Sequence, residues 1–387
     1  MVSELIRQRP YATQAGTRRF AQRHDAGLPA DAWNEVAGLT LSSVGIGTYL
    51  GPLDEATDEA WHDAVVEAVR RGVNVIDTAP NFRCQRAERA VGRALQTLQE
   101  MGEIYRSEVL VASGGGFVPF DDLPAASPAH YLRQTSVGRG LCRDDELVAG
   151  CHCLSPGWLQ ASLTQSLDNL RLQTLDVFFV QCPETQLQLV DRPLVLERIR
   201  AAFAALEAAC DAGQIRVYGI ASWSGLRAQP QERDWLDLGT LVGLAESVAG
   251  LRHRFRAVQV PLNLAMPEAA TRANQPLRRD GRQVPLLQAA AAERMVVLTS
   301  APLHQGKLAR QRLQHVPPLP WADAAADHLA AEAVQFARSH GGVASTLVGM
   351  RRPEHIDANV GLMRRGRAST DWLQQAAQPC HGARYGC

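Results

Sequence analysis

Lysine is nearly missing from this chain: of forty basic residues only Lys307 is a lysine, and the other 39 are arginine. A GC-rich genome, with its arginine codons, accounts for that excess without appeal to function. Net charge is missing too. Forty acidic side chains balance the forty basic ones, which gives no ground for a nucleic-acid or anionic-membrane partner. No apolar run reaches the roughly 20 residues of a membrane span. The opening MVSELIRQRPYATQAGTRRF carries no apolar signal core, so the expected location is the cytoplasm. Eight cysteines are scattered with no C-x-x-C pair, which argues against a structural zinc site. The run Cys151-His152-Cys153 is too tight for that spacing, and no metal is expected.

What is present is an alternation. Short apolar runs recur at 41–50, 73–77, 108–113, 175–181, 215–221, 255–260, 295–300 and 344–350. Continuous apolar character fits strands buried on both faces of a parallel sheet. Helical spacing separates them. Trp61, Ala64, Val65, Ala68 and Val69 share one face, with Thr57 suiting a start and Gly72 an end. Ser155-Pro156 opens a second helix carrying Leu159, Leu163, Leu167 and Leu170, and a third aligns Ile199, Phe203, Leu206 and Cys210. Eight such units predict an α/β fold, a single (β/α)₈ TIM barrel over 41–366. Residues 1–40 form an N-terminal extension, a cap or an arm, and 367–387 form a tail. A long loop after strand three, 114–154, is an insertion of the kind that often acts as a lid.

The strand ends carry a resemblance. GIGTYLG, NVIDTAPNFRCQRAERAVGRAL, TLDVFFVQCPETQL, VYGIASW, AVQVPLNL, LTSAPLHQGKL and LVGMRRPEHIDANVG, in that order, resemble the aldo-keto reductases over roughly residues 38–365. The resemblance implies a barrel that reduces carbonyls with NADPH at the C-terminal ends of its strands. It also implies four catalytic positions. The aspartate is matched by Asp77. The tyrosine five places on is Phe82, the lysine ending strand three is Gly114, and the histidine ending strand four is Gln181. The family's phenol has an unperturbed pKa of about 10, lowered by a nearby ammonium. Phe82 has no proton to give, Gly114 no charge, and Gln181 can only hydrogen-bond. General acid catalysis is worth about 10²–10⁴-fold, so carbonyl reduction should be severely depressed. Phe82→Tyr alone is expected not to restore it; adding Gly114→Lys and Gln181→His should do better if the pocket takes the volume. Asp77, without its ammonium, either pairs with Arg83 or Arg86 or stays unpaired as a general base with a raised pKa.

The resemblance also implies a cofactor site. Gln259 stands at the nicotinamide amide, but Leu262 replaces the stacking tyrosine and Ser222 lies in a departed Ser-Asn pattern. Ser300, Leu303, Gln305 and Lys307 match the pyrophosphate loop. Met350, Arg351, Arg352, His355 and Asn359 match the segment that grips the adenosine 2′-phosphate. NADP is therefore expected to bind, weakly or as a vestige, in preference to NAD. Cys84 and Cys182 fall near the mouth, and the insertion, carrying His152, Arg133, Asp144 and Asp145, is expected to fold over the mouth as a source of a new acid. Three readings stand: a changed, non-reducing reaction on a small molecule, such as a dehydration, isomerisation or cyclisation; a regulatory NADP(H)-binding protein; or a carbonyl reductase whose proton donor has moved onto the insertion. Fold does not choose among them.

Overall fold

The computed structural model of the chain describes residues 9–121, 127–310, 313, 316–319 and 328–377. Eight parallel strands close into a barrel in which each strand pairs with its neighbours in sequence. They are Val44–Gly47, Val75–Asp77, Leu110–Gly115, Leu175–Gln181, Ile215–Ala221, Phe255–Pro261, Val296–Ser300 and Val343–Val348. Inward-facing Val75, Leu110, Ala112, Val177, Phe179, Ala257 and Leu298 fill the interior, so the barrel is a packed core and not a pore.

The first expected strand, 41–50, divides in two. Leu39–Ser42 pairs antiparallel with Trp33–Val36, and the barrel strand begins only at Val44. The division has a local cause. The Ser42 hydroxyl turns back on the Val44 carbonyl at 2.8 Å, while Asn74 Oδ1 takes the Ser42 N–H at 2.8 Å. The hairpin then presses Leu41, Val36 and Leu39 onto the N-terminal end of the barrel interior. Asp176 ties the same end: it accepts from Ala12 N at 2.6 Å and Val111 N at 2.7 Å and pairs with Arg106 at 2.7 Å. The C-terminal strand ends are left as the place for a site.

Around the barrel the helices bury the faces that their spacing predicts. Glu55–Arg70 buries Trp61, Ala64, Val65, Ala68 and Val69, but it starts earlier than Thr57 suggests, because Asp54 accepts the Thr57 N–H at 2.7 Å as its cap. Pro156–Leu170 is capped by Ser155, and Arg192–Asp211 buries Ile199, Phe203 and Leu206. The insertion has its own helix, Pro128–Ser136, and a small core of Val118, Leu132, Cys142, Cys153 and Trp158. The tail forms the helix Thr370–Ala376; Cys380 and Cys387 lie outside the described residues. Among the described residues no helix is long and apolar enough to cross a membrane.

Candidate active site

Strands two, three, four and six bring the expected site residues to one end. Asp77 is the last residue of its strand, Gly114 the last but one of its own, and Gln181 closes strand four. All three continue the inward-facing register of Val75, Ala112 and Phe179. Phe82 sits half-buried in the turn that follows, its ring edge-on to Tyr49 with centroids 5.0 Å apart. Thr48, beside Tyr49, donates from N and from Oγ1 to the Asp77 carbonyl at 3.2 Å. The aromatic pair is thereby joined to the Asp77 main chain.

Asp77 does not pair with either expected arginine. Arg83 reaches Asp58 at 2.7 Å and the Pro52 carbonyl at 2.6 Å, and Arg86 faces Asp58 at 3.2 Å. The backbone explains this. Arg83, Cys84 and Gln85 are all left-handed, with φ of 51°, 53° and 70°, and this coil carries Arg83 to the loop after strand one. Asp77 instead accepts from Gln259 Nε2 at 2.7 Å across the barrel. Burial, with no cation beside it among the described residues, lifts its carboxyl to a pKa of about 7, and the Gln259 bond only partly opposes that rise.

Gln181 lies against the bare face of Gly114. A Cβ built on Gly114 would stand 3.1 Å from Gln181 Cγ and 2.6 Å from the Phe179 carbonyl oxygen. The second contact is with backbone, so Gly114→Lys requires strands three and four to part. The triple substitution therefore requires backbone movement at Gly114. Gln181 Oε1 is buried and has no partner among the described residues.

Glu184 escapes the sequence reading. Its Oε1 accepts from Ser222 Oγ at 3.0 Å and from the N–H groups of Trp223 at 2.7 Å and Ser224 at 3.0 Å. Its Oε2 is buried without a partner among the described residues, and burial raises its pKa against those donors. The available signal was an acid directly after Gln181-Cys182-Pro183, at the end of an apolar run. Ser222 and Gln259, both expected at the nicotinamide, thus have polar atoms engaged by Glu184 and Asp77. Leu262 is buried.

Among its described residues, the insertion brings no acid into hydrogen-bond contact with Asp77. His152 is wholly buried, its Nε2–H donating to the Gln181 carbonyl at 2.8 Å and its Nδ1 accepting from Gln186 Nε2 at 2.9 Å. Burial depresses its pKa to about 4, so it is neutral and both nitrogens are used. Gly116, at φ 146°, makes the approach possible: a Cβ there would meet the Gln181 carbonyl oxygen at 2.8 Å. Asp144 pairs with Arg133 at 2.5 Å and Asp145 with Arg143 at 3.0 Å, all of them well exposed. Cys182, left-handed at φ 41°, has its thiol pKa pushed well up by burial, and Cys84 is half-buried.

At the phosphate end, Ser300 closes strand seven, half-buried. The turn after it carries Leu303, half-buried, with Gln305 and Lys307 exposed. Met350 and Asn359 are buried, while Arg352 and His355 are exposed. Arg351 donates to Thr57 Oγ1 at 3.3 Å. The helix Pro353–Gly361 starts from Arg352 without a side-chain cap. Pro353 has no N–H and the His355 N–H donates to the Arg352 carbonyl at 3.0 Å, so the Glu354 N–H is the one left for an anion in this first turn.

The aldo/keto reductase family model matches residues 43–376. Similar solved folds include an aldo-keto reductase of Bacillus halodurans in its holo form, 17% identical at a TM-score of 0.57, covering 89% of this chain and 94% of that one. An aldo-keto reductase of Klebsiella pneumoniae in complex with NADPH is 17% identical at 0.58, covering 91% and 96%. A glycerol dehydrogenase of Gluconobacter oxydans is 18% identical at 0.57, covering 92% and 100%. With its closed eight-stranded barrel and a family match across most of its length, the chain belongs to the aldo/keto reductase family.

Proposed function

We propose that this chain uses the aldo-keto reductase barrel for acid–base chemistry on a small molecule, a dehydration, isomerisation or cyclisation, and not for carbonyl reduction. The observation that carries the reading is Asp77: a buried carboxyl at the barrel mouth, hydrogen-bonded to Gln259 and with no cation beside it. A group with a pKa of about 7 is populated in both protonation states near neutrality, as a general acid–base requires. Gln181 orients the reacting group by hydrogen bonding. Phe82 and Gly114, at the positions where the family has its proton donor and its ammonium, bring neither.

NADP(H) fits one end of the barrel better than the other. Lys307 and Arg352 are exposed and make no ion pair among the described residues, Arg351 is half-buried, and an uncapped helix starts between them. Those groups would hold the phosphates. The polar groups expected at the nicotinamide are already engaged by carboxylates. When bound, the cofactor would supply hydride chemistry, but without the family's phenol and ammonium the only acid beside it is the Asp77 carboxyl. The test is a mass-balance screen of hydroxy- and oxo-compounds without NADPH. A product of unchanged mass, or lighter by one water, that disappears in Asp77→Asn supports the reading. Brisk NADPH oxidation with simple aldehydes defeats it.

A further inference from the structure

Among the described residues, the mouth has more hydrogen-bond acceptors than charged donors, with the Thr78 hydroxyl the one buried unpartnered group beside Asp77 that can donate. Asp77 has a single amide donor and no counter-ion. Gln181 Oε1 is buried without a partner, its side chain lying over the inward face of Gly114, and Glu184 Oε2 is buried in the same condition on the strand-four rim. Turning the Gln181 amide over exchanges its two atoms but adds no charge. The cations nearby are committed elsewhere: Arg83 and Arg86 to Asp58, Arg198 to Gln186 Oε1 at 2.6 Å, and Arg227 to Glu268. Rings border the opening. Tyr49 is 51% exposed beside Phe82, and Trp223, at the end of strand five, is 43% exposed.

A carboxylate placed here would face the Asp77 and Glu184 carboxyls with no cation among the described residues to pair it, and a carbonyl oxygen would find only neutral donors, the protonated Asp77, the Thr78 hydroxyl and the Gln181 amide. A cationic nitrogen does the reverse. It supplies several N–H donors, neutralises the buried carboxylate, and gains from aromatic quadrupoles. We infer that the mouth takes a small molecule bearing a protonated nitrogen, an ammonium or amidinium, that donates to Asp77 and Gln181 and packs against Tyr49 and Phe82. The inference rests on the reading above that the mouth is the ligand site. It adds that the bound cation holds Asp77 as the carboxylate, so that Asp77 enters the reaction as the base.

Benzamidine, benzyl alcohol and benzoate share a ring and differ in the polar end, which makes them suitable probes for calorimetry on the full chain. Benzamidine is expected to bind about tenfold or more tighter than benzyl alcohol, the worth of one charge-assisted hydrogen bond, with benzoate weakest. Asp77→Asn should abolish that preference. Tyr49→Leu, at an exposed position that leaves folding intact, should weaken benzamidine by a few-fold while sparing benzyl alcohol. Equal affinities, tighter benzoate, or no benzamidine binding at millimolar concentration overturns the inference. Those outcomes are separate from failure of the functional reading, which shows as NADPH-linked carbonyl reduction whatever the probes do.

Discussion

Burial without a counter-ion makes Asp77 a liability to the fold that grows with pH. Its folded pKa of about 7 lies above the ordinary 3.8, so between those values the native state keeps a proton that the unfolded chain has released. The stability linked to this group is full below the unfolded value and is lost as pH rises through the folded one, on the order of 4 kcal/mol altogether. Glu88 and Glu184, also raised by burial, act in the same sense. Asp77→Asn keeps an acceptor for Gln259 and removes this ionisation. In urea melts the variant should be more stable than the parent at about pH 8 and close to it near pH 4. Parallel pH curves for the two proteins would rule out the burial account. Gly114 is the complementary case, a residue fixed by what it lacks. A Cβ there would crowd the Phe179 carbonyl, so Gly114→Ala is expected to cost about 1–3 kcal/mol. A melt unchanged by the alanine would show that strands three and four have slack, and would reopen the route to Gly114→Lys.

Elements were legible where a single run of residues determines them. Apolar runs ending in Asp77, Gln181 and Gln259 marked strands and the end at which a site would lie, because alternation along each strand fixes which side chains face inward. Partnerships across the barrel were not. Gln259 meets Asp77 across 182 residues of sequence, and nothing local favours that amide over Arg83. The left-handed coil at Arg83–Gln85 contains no glycine to announce it. The insertion was legible only as a length. Its path is set by His152, which spans the Gln181 carbonyl and Gln186, and this contact makes the insertion a buttress of strand four. His152→Ala leaves Gln186 Nε2 its bond to the main-chain carbonyl of residue 152 at 3.1 Å but removes the donor to the Gln181 carbonyl, at about 1–3 kcal/mol. It should lower thermal stability and speed proteolysis within 117–151; digestion at the parent rate would mean that the insertion is held by its apolar core alone. The folded state also refuses the proton that an unfolded histidine accepts. The strut's contribution is therefore lost as pH falls from 6.5 toward 4.

At the scale of the whole molecule the two ends of the barrel have opposite characters. The N-terminal end is closed by the hairpin and by Asp176, which is fully satisfied by Arg106 and two backbone N–H groups. At the C-terminal end the turns after strands two and four are left-handed and Gln181 Oε1 and Glu184 Oε2 are buried without partners among the described residues, features that on the proposed function serve a ligand. The cofactor end divides in the same way. Charged contacts to phosphate are worth about 1.5–3 kcal/mol each, and Lys307, Arg351 and Arg352 are the groups proposed to make them, whereas a missing stacking ring costs on the order of 1 kcal/mol. If the phosphates dominate, calorimetry should show NADP⁺ binding more tightly than NAD⁺, and adenosine 2′,5′-bisphosphate binding nearly as well as NADP⁺. Arg352→Ala should weaken NADP⁺ about tenfold, as loss of one such contact implies, and leave NAD⁺ almost unchanged. A bisphosphate that binds far more weakly than NADP⁺ would mean that the nicotinamide finds its own anchors. Ser222 and Gln259 would then have to leave Glu184 and Asp77 when the cofactor arrives.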